Sequence, residues 1–93
     1  MGTKLMVEGL PPLFSAQQLT DLFAPFGTVL SASIITDPAG KSLRVGQVEM
    51  STRQDAERAM RTLHRSQVEG RFLLVFEQVE QRGSPGQEYK GTG

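Results

Sequence analysis

The chain has 93 residues, enough for one two-layer hydrophobic core and too few for two. Ten Lys plus Arg balance ten Asp plus Glu, so no global positive field draws the chain toward phosphate polyanions or an acidic membrane surface, and attraction to either must come from local clusters. The absence of Cys excludes a disulfide framework, a thiolate metal site and a cysteine nucleophile. With no signal-peptide layout after Met1 and no long apolar run, the expectation is a soluble cytoplasmic protein with no membrane partner.

Lys4-Leu5-Met6-Val7-Glu8 reads as a first strand, closed by Gly9-Leu10-Pro11-Pro12, because proline cannot donate to a continuing ladder. Ser15 and Gln18 have the spacing of a capping box. Leu19, Leu22, Phe23 and Phe26 then fall at helical offsets, giving an amphipathic helix that Pro25 makes irregular and Gly27 ends. Val29 to Thr36 is rich in β-branched residues, and Asp37-Pro38-Ala39-Gly40 supplies a turn before a second strand-like run from Leu43 to Met50. Ser51 or Thr52 caps a second helix, whose stripe of Ala56, Ala59, Met60 and Leu63 is small enough to lie close to a sheet. Arg71 to Gln78, the most hydrophobic stretch, reads as a fourth strand. From Glu80 onward Gly, Ser, Pro and charge dominate, so the expected division is a domain over 1–79 and a flexible tail over 80–93.

The resulting order, βαββαβ, is the split arrangement in which two helices cover one face of a four-stranded antiparallel sheet. The other face is left open. Period-two alternation turns Leu5, Val7, Gly46, Val48, Met50, Leu73 and Val75 toward the helices. The open face then carries Lys4, Met6, Glu8, Leu43, Val45, Gln47, Glu49, Leu74 and Phe76, with Ser31, Ser33 and Ile35 from the second strand.

These residues resemble the RNA-recognition motif, or ribonucleoprotein domain, from Lys4 to about Gln78. Leu5-Met6-Val7-Glu8-Gly9-Leu10 is similar to the family's hexamer. Leu43-Arg44-Val45-Gly46-Gln47-Val48-Glu49-Met50 is similar to its octamer, and Leu22-Phe23 leading to Phe26-Gly27, Asp55-Ala56, Ala59-Met60 and Gly70-Arg71 are further family-like phrases. The layout is similar to small single-domain bacterial members. The resemblance implies an α+β, ferredoxin-like βαββαβ two-layer sandwich that binds single-stranded RNA, or single-stranded DNA in its place, across its sheet, with no cofactor and no catalysis.

In the family, bases stack on aromatic side chains of the two central strands, and those positions fall here on Met6, Val45 and Gln47. Ring stacking is worth roughly 1–3 kcal/mol per base, so the resemblance implies weak binding. The octamer's opening basic residue is Leu43, and Arg44 replaces its glycine. The expected base-facing residues are Met6, Val45, Gln47 and Phe76, with Leu43 and Leu74 beside them. Lys4 and Arg44 are the expected phosphate contacts and Arg71 a rim contact, although the parity of Arg44 points it off the open face. Phe72 would join Phe76 as a ring if it also faces outward.

Phe76, Leu74, Met6, Val45, Leu43 and Ile35 are expected to form one apolar patch. Its alternative occupants are a protein partner, a second copy of the chain, or the chain's own tail through Val79 or Tyr89. Arg58, Arg61 and Arg65 read as a solvated helix face, His64 as an exposed bystander and Ser15 as a cap rather than a nucleophile. An acylphosphatase-like enzyme on the same split fold would need a water-positioning Asn, and the sequence has none.

Overall fold

The structure, a computed structural model, describes residues 2–78. In chain order the elements are β1 (Thr3–Glu8), α1 (Ala16–Phe23), β2 (Val29–Thr36), β3 (Ser42–Met50), α2 (Arg53–Leu63), β4 (Gln67–Val68), β5 (Arg71–Phe72) and β6 (Leu74–Glu77). β2, β3, β1 and β6 lie side by side in that order in one antiparallel sheet, and both helices pack on the same face. This is the α+β, ferredoxin-like βαββαβ sandwich expected from the order of elements. The tail over 80–93, and the covers suggested for Val79 and Tyr89, lie outside the described residues.

Local chemistry sets the helix ends. Gln18 N–H donates to Ser15 Oγ at 3.1 Å and Ser15 N–H donates to Gln18 Oε1 at 2.9 Å, the reciprocal pair of a capping box. Pro25 follows within a 3-10 turn, Ala24–Phe26, that replaces the last α turn. Thr52 rather than Ser51 caps α2, its hydroxyl accepting from Asp55 N–H at 3.1 Å.

The core lies between the helices and the inward side chains of the strands. Leu5, Val7, Val48, Met50, Leu73 and Val75 are buried against Leu19, Phe23, Ala56, Ala59 and Leu63. Gly46 belongs to the same inward set. A Cβ there would stand 2.6 Å from a Leu19 methyl and 3.1 Å from a Leu10 methyl, so a side chain at this position would have to displace those two core leucines. At the end of β1, Gly9 takes φ +87°, a conformation open to glycine, with the Phe72 carbonyl packed against its Cα.

The last strand is shorter than its hydrophobicity predicts. Glu69 and Gly70 both have positive φ, as a type I′ hairpin turn requires, and fold Arg71-Phe72 back onto Gln67-Val68. β6 therefore starts only at Leu74. Propensity reports that a run favours extended backbone; it does not report which neighbour the run will pair with.

β3 also departs from a plain ladder. Between the pairs Ile35↔Val45 and Thr36↔Ser42, Leu43 and Arg44 have no partner on β2, and Arg44 sits at φ 63°. That bulge decides where both side chains go.

Candidate functional site

The open face is built from the side chains that the core does not take. Cross-strand register sets them in rows across β6, β1, β3 and β2. One row reads Phe76, Met6, Gln47, Ser33; the next reads Leu74, Glu8, Val45, Ile35. Lys4, Glu49 and Ser31 form the row beyond, where Gln78 N–H donates to the Lys4 carbonyl at 2.8 Å. Each residue in these rows keeps some solvent exposure, while the intervening residues of β1, β3 and β6 on the helix side are almost all buried.

Polar groups on this face are pre-positioned. Gln47 Nε2 donates to Gln78 Oε1, tying β3 to the end of β6 across β1. Gln47 Oε1 and the Gln78 amide group keep capacity for further hydrogen bonds, which suits the mixed donors and acceptors of a base edge. Lys4, Glu8 and Glu49 are the charged side chains of the rows, a balance that gives the face no cationic field.

Phe76 is the ring on this surface, 43% exposed, and an unexpected residue holds it. His64, at the C-cap of α2, stands with its ring centroid 5.6 Å from that of Phe76 at 65°, an edge-to-face contact. Its Nδ1 accepts the Val75 N–H at 3.0 Å. Because β6 is the edge of the sheet, this bond closes a donor that would otherwise face outward. The reading of His64 as an exposed bystander is therefore corrected: it is half-buried, blocks the edge and positions the ring. The missed signal was a histidine immediately after a helix stripe and a short turn before a hydrophobic strand, where its imidazole can reach the strand's free edge. Phe76, His64, Met60, Arg61, Val75 and Glu77 line an open cleft of about 470 Å³ along that edge.

Met6, Val45, Gln47, Leu74, Phe76 and Lys4 are brought together on the rows. Leu43, Arg44 and Arg71 are not. Leu43 is half-exposed in the bulge. Arg44 lines a groove with Phe14, Ile34 and Lys41, and Ile34 pairs with Gly46 on the helix side. Arg71 and Phe72 belong to the β4–β5 ladder, so Phe72, though 61% exposed, is not a neighbour of Phe76 in the main sheet. The expected single apolar patch is also interrupted, because Glu8 stands between Leu74 and Val45.

The arginine side of α2 is more tied down than a solvated face. Arg58 donates to the Phe26 carbonyl at 2.6 Å and to Asp55 at 3.2 Å. Arg53 grips Glu77 with paired hydrogen bonds of 2.8 and 3.0 Å and also reaches Glu57, linking the start of α2 to the end of β6. The Glu77 hydrogen bond and charge raise the Arg53 pKa above its ordinary value. Among the described residues, no group of three or more His, Cys, Asp and Glu is placed to hold a metal ion, and no helix is long and apolar enough to cross a membrane.

Comparison with known proteins agrees with this geometry. A family model described as RNA recognition motif matches residues 5–74. Polyadenylate-binding protein 2 of Arabidopsis thaliana is 37% identical over 74 residues, which are 80% of this chain and 12% of that protein. The chain spans between 8% and 13% of the curated relatives it matches. The crystal structure of RNA binding protein PG1 superimposes with a TM-score of 0.81 at 35% identity, covering 87% of this chain and 99% of that one. A Sxl-lethal protein/RNA complex superimposes with a TM-score of 0.75 at 28% identity, over 80% of this chain and 46% of that one.

Proposed function

Because the chain belongs to the RNA recognition motif family, we propose that it binds single-stranded RNA weakly across the open face of its sheet, without catalysing a reaction. The observation that carries this reading is the row Phe76, Met6, Gln47 on adjacent strands: a ring, a polarizable thioether and an amide at the height where bases lie. The relatives named for poly(A) and for RNA support it. Single-stranded DNA, which offers the same base faces, is a second ligand of this surface. Residues 1–79 form the binding unit, 80–93 serve as its tail, and the cysteine-free composition suits work in the cytoplasm.

The base-facing residues in this reading are Met6, Val45, Gln47, Leu74 and Phe76, with Leu43 at the border of the face. Lys4 meets phosphate, and Arg44 and Arg71 serve only an RNA that extends past the rows. With so few cations on the face, binding depends on bases, and log affinity falls against log salt with a slope of magnitude about 1 or less. Titration with short RNA pools, followed by amide chemical shifts, tests the reading. Shifts centred on β1, β3 and β6 are expected; shifts confined to α1 and α2, or none at high RNA concentration, reject it.

A second reading, association with a protein partner or a second copy through the same face, is favoured by the exposure of Leu74 and Phe76 at 36% and 43%. Under that reading the mass in solution rises with concentration and the rise vanishes in Phe76→Ser. A concentration-independent monomer dismisses self-association.

A further inference from the structure

Glu8 is an odd residue to find at the middle of a surface that meets a polyanion. It lies on the central strand β1, its side chain exposed, with Leu74 opposite it on β6 and Val45 opposite it on β3. Its carboxylate takes part in no hydrogen bond or ion pair among the described residues. The cation of the same face, Lys4, is four positions back along the strand, roughly 13 Å at 3.3 Å per residue. A carboxylate so placed repels phosphate, so the RNA backbone cannot run over it. A base edge can.

We propose that Glu8 selects guanine: its carboxylate accepts the two adjacent N–H donors of a guanine Watson–Crick edge, with the base laid between Leu74 and Val45. This rests on the RNA-binding reading above and names what that site prefers. An ionised carboxylate accepts hydrogen bonds and donates none, and its two oxygens match a pair of parallel donors. Guanine presents that pair, N1–H and the N2 amino group. Adenine and cytosine present one amino group beside a ring-nitrogen acceptor, which the carboxylate repels. Uracil presents one N–H flanked by two carbonyls, the worst match. The aliphatic neighbours add to the discrimination, because they displace water once a base covers them and so strengthen the charge-assisted bonds. On the adjacent row, Gln47 and Gln78 carry both donors and acceptors and discriminate less.

The test uses the full 93-residue chain and labelled RNA hexamers identical except at two central positions, which are GG, AA, CC or UU, with affinity read by fluorescence anisotropy. The GG hexamer is expected to bind about 10- to 100-fold more tightly than the UU hexamer, the discrimination typical of a bidentate base contact. In Glu8→Gln the GG advantage over UU falls to about twofold while UU affinity stays within about twofold of wild type. In Glu8→Lys the GG advantage is lost, because an ammonium accepts no hydrogen bond, while the AA, CC and UU hexamers bind more tightly and the salt slope steepens by about 0.7, as one added phosphate contact requires. Glu8 is exposed, and unchanged thermal melting shows that both variants fold. Equal affinity of the wild type for all four hexamers, or a guanine preference that survives Glu8→Gln, overturns the inference and leaves RNA binding standing. Failure of every hexamer to bind overturns the RNA-binding reading and this inference with it.

Discussion

The two faces of the sheet are made from the same strands and differ in everything else. Leu5, Val7, Val48, Met50 and Val75 have lost almost all contact with solvent, and Gly46 among them has no side chain because α1 occupies the space. One residue away in each case stand Lys4, Met6, Glu8, Gln47, Glu49 and Phe76, all reachable by a ligand. The first set answers to packing, where a missing methylene leaves a void. The second answers to whatever lies on top, so it tolerates Met, Val and Gln where a ring-bearing platform would carry aromatics. Alternation lets one short strand do both jobs, and it lets the binding face change without disturbing the fold.

The comparison is broken most severely from the buried side. Leu5→Ala removes a fully buried side chain and is expected to cost about 2–5 kcal/mol, read by urea denaturation. RNA affinity of the remaining folded molecules should be unchanged; a loss of affinity beyond the unfolded fraction would mean that the faces are not independent. On the open face the expected pattern reverses. Phe76→Ala should weaken RNA binding by about 1–3 kcal/mol, the worth of one stacked base, while stability drops by no more than the roughly 0.5–1.5 kcal/mol of a ring pair.

Restoring a ring sharpens the contrast. Met6→Phe should tighten RNA binding about tenfold, within the range for one stacking contact, and move the urea midpoint very little because Met6 already faces outward. The smallest effect belongs to the residue that touches both regions. His64→Ala leaves the Val75 N–H without its acceptor and frees the Phe76 ring, so a loss of about 1 kcal/mol in stability is expected together with a two- to threefold weaker affinity. Hydrogen exchange at the Val75 amide should accelerate; an unchanged rate would place that edge donor under other protection.

Much of this was readable along the chain because short-range rules governed it. The Ser15–Gln18 capping box, the β2 limits at Val29 and Thr36 and the inward set of β1 and β3 follow from residue types a few positions apart. Where the reading failed, the deciding partner was remote in sequence. Arg71 and Phe72 were drawn off the last strand by pairing with Gln67 and Val68, a choice made by the positive φ of Glu69 and Gly70. Arg44 points off the open face, as its parity implies, but the bulge that places it there depends on the β2–β3 register. His64 reads as exposed because its place just past the α2 stripe hints at a strand edge within reach without fixing which donor it meets, and that donor, the Val75 N–H, lies eleven residues on. The patch anticipated around Phe76 proved interrupted, since only lateral register sets Glu8 between Leu74 and Val45.

The order of elements, the helix caps and the two-sided alternation of the strands were thus decided locally, by periodicity and turn chemistry acting over a few residues. The composition of the open face as a surface was not. Which side chains become neighbours there depends on the order β2, β3, β1, β6 and on the pairing register, which arise when distant segments bury their apolar sides together. Local rules say which way a residue points, and only packing across the sheet says what it stands beside.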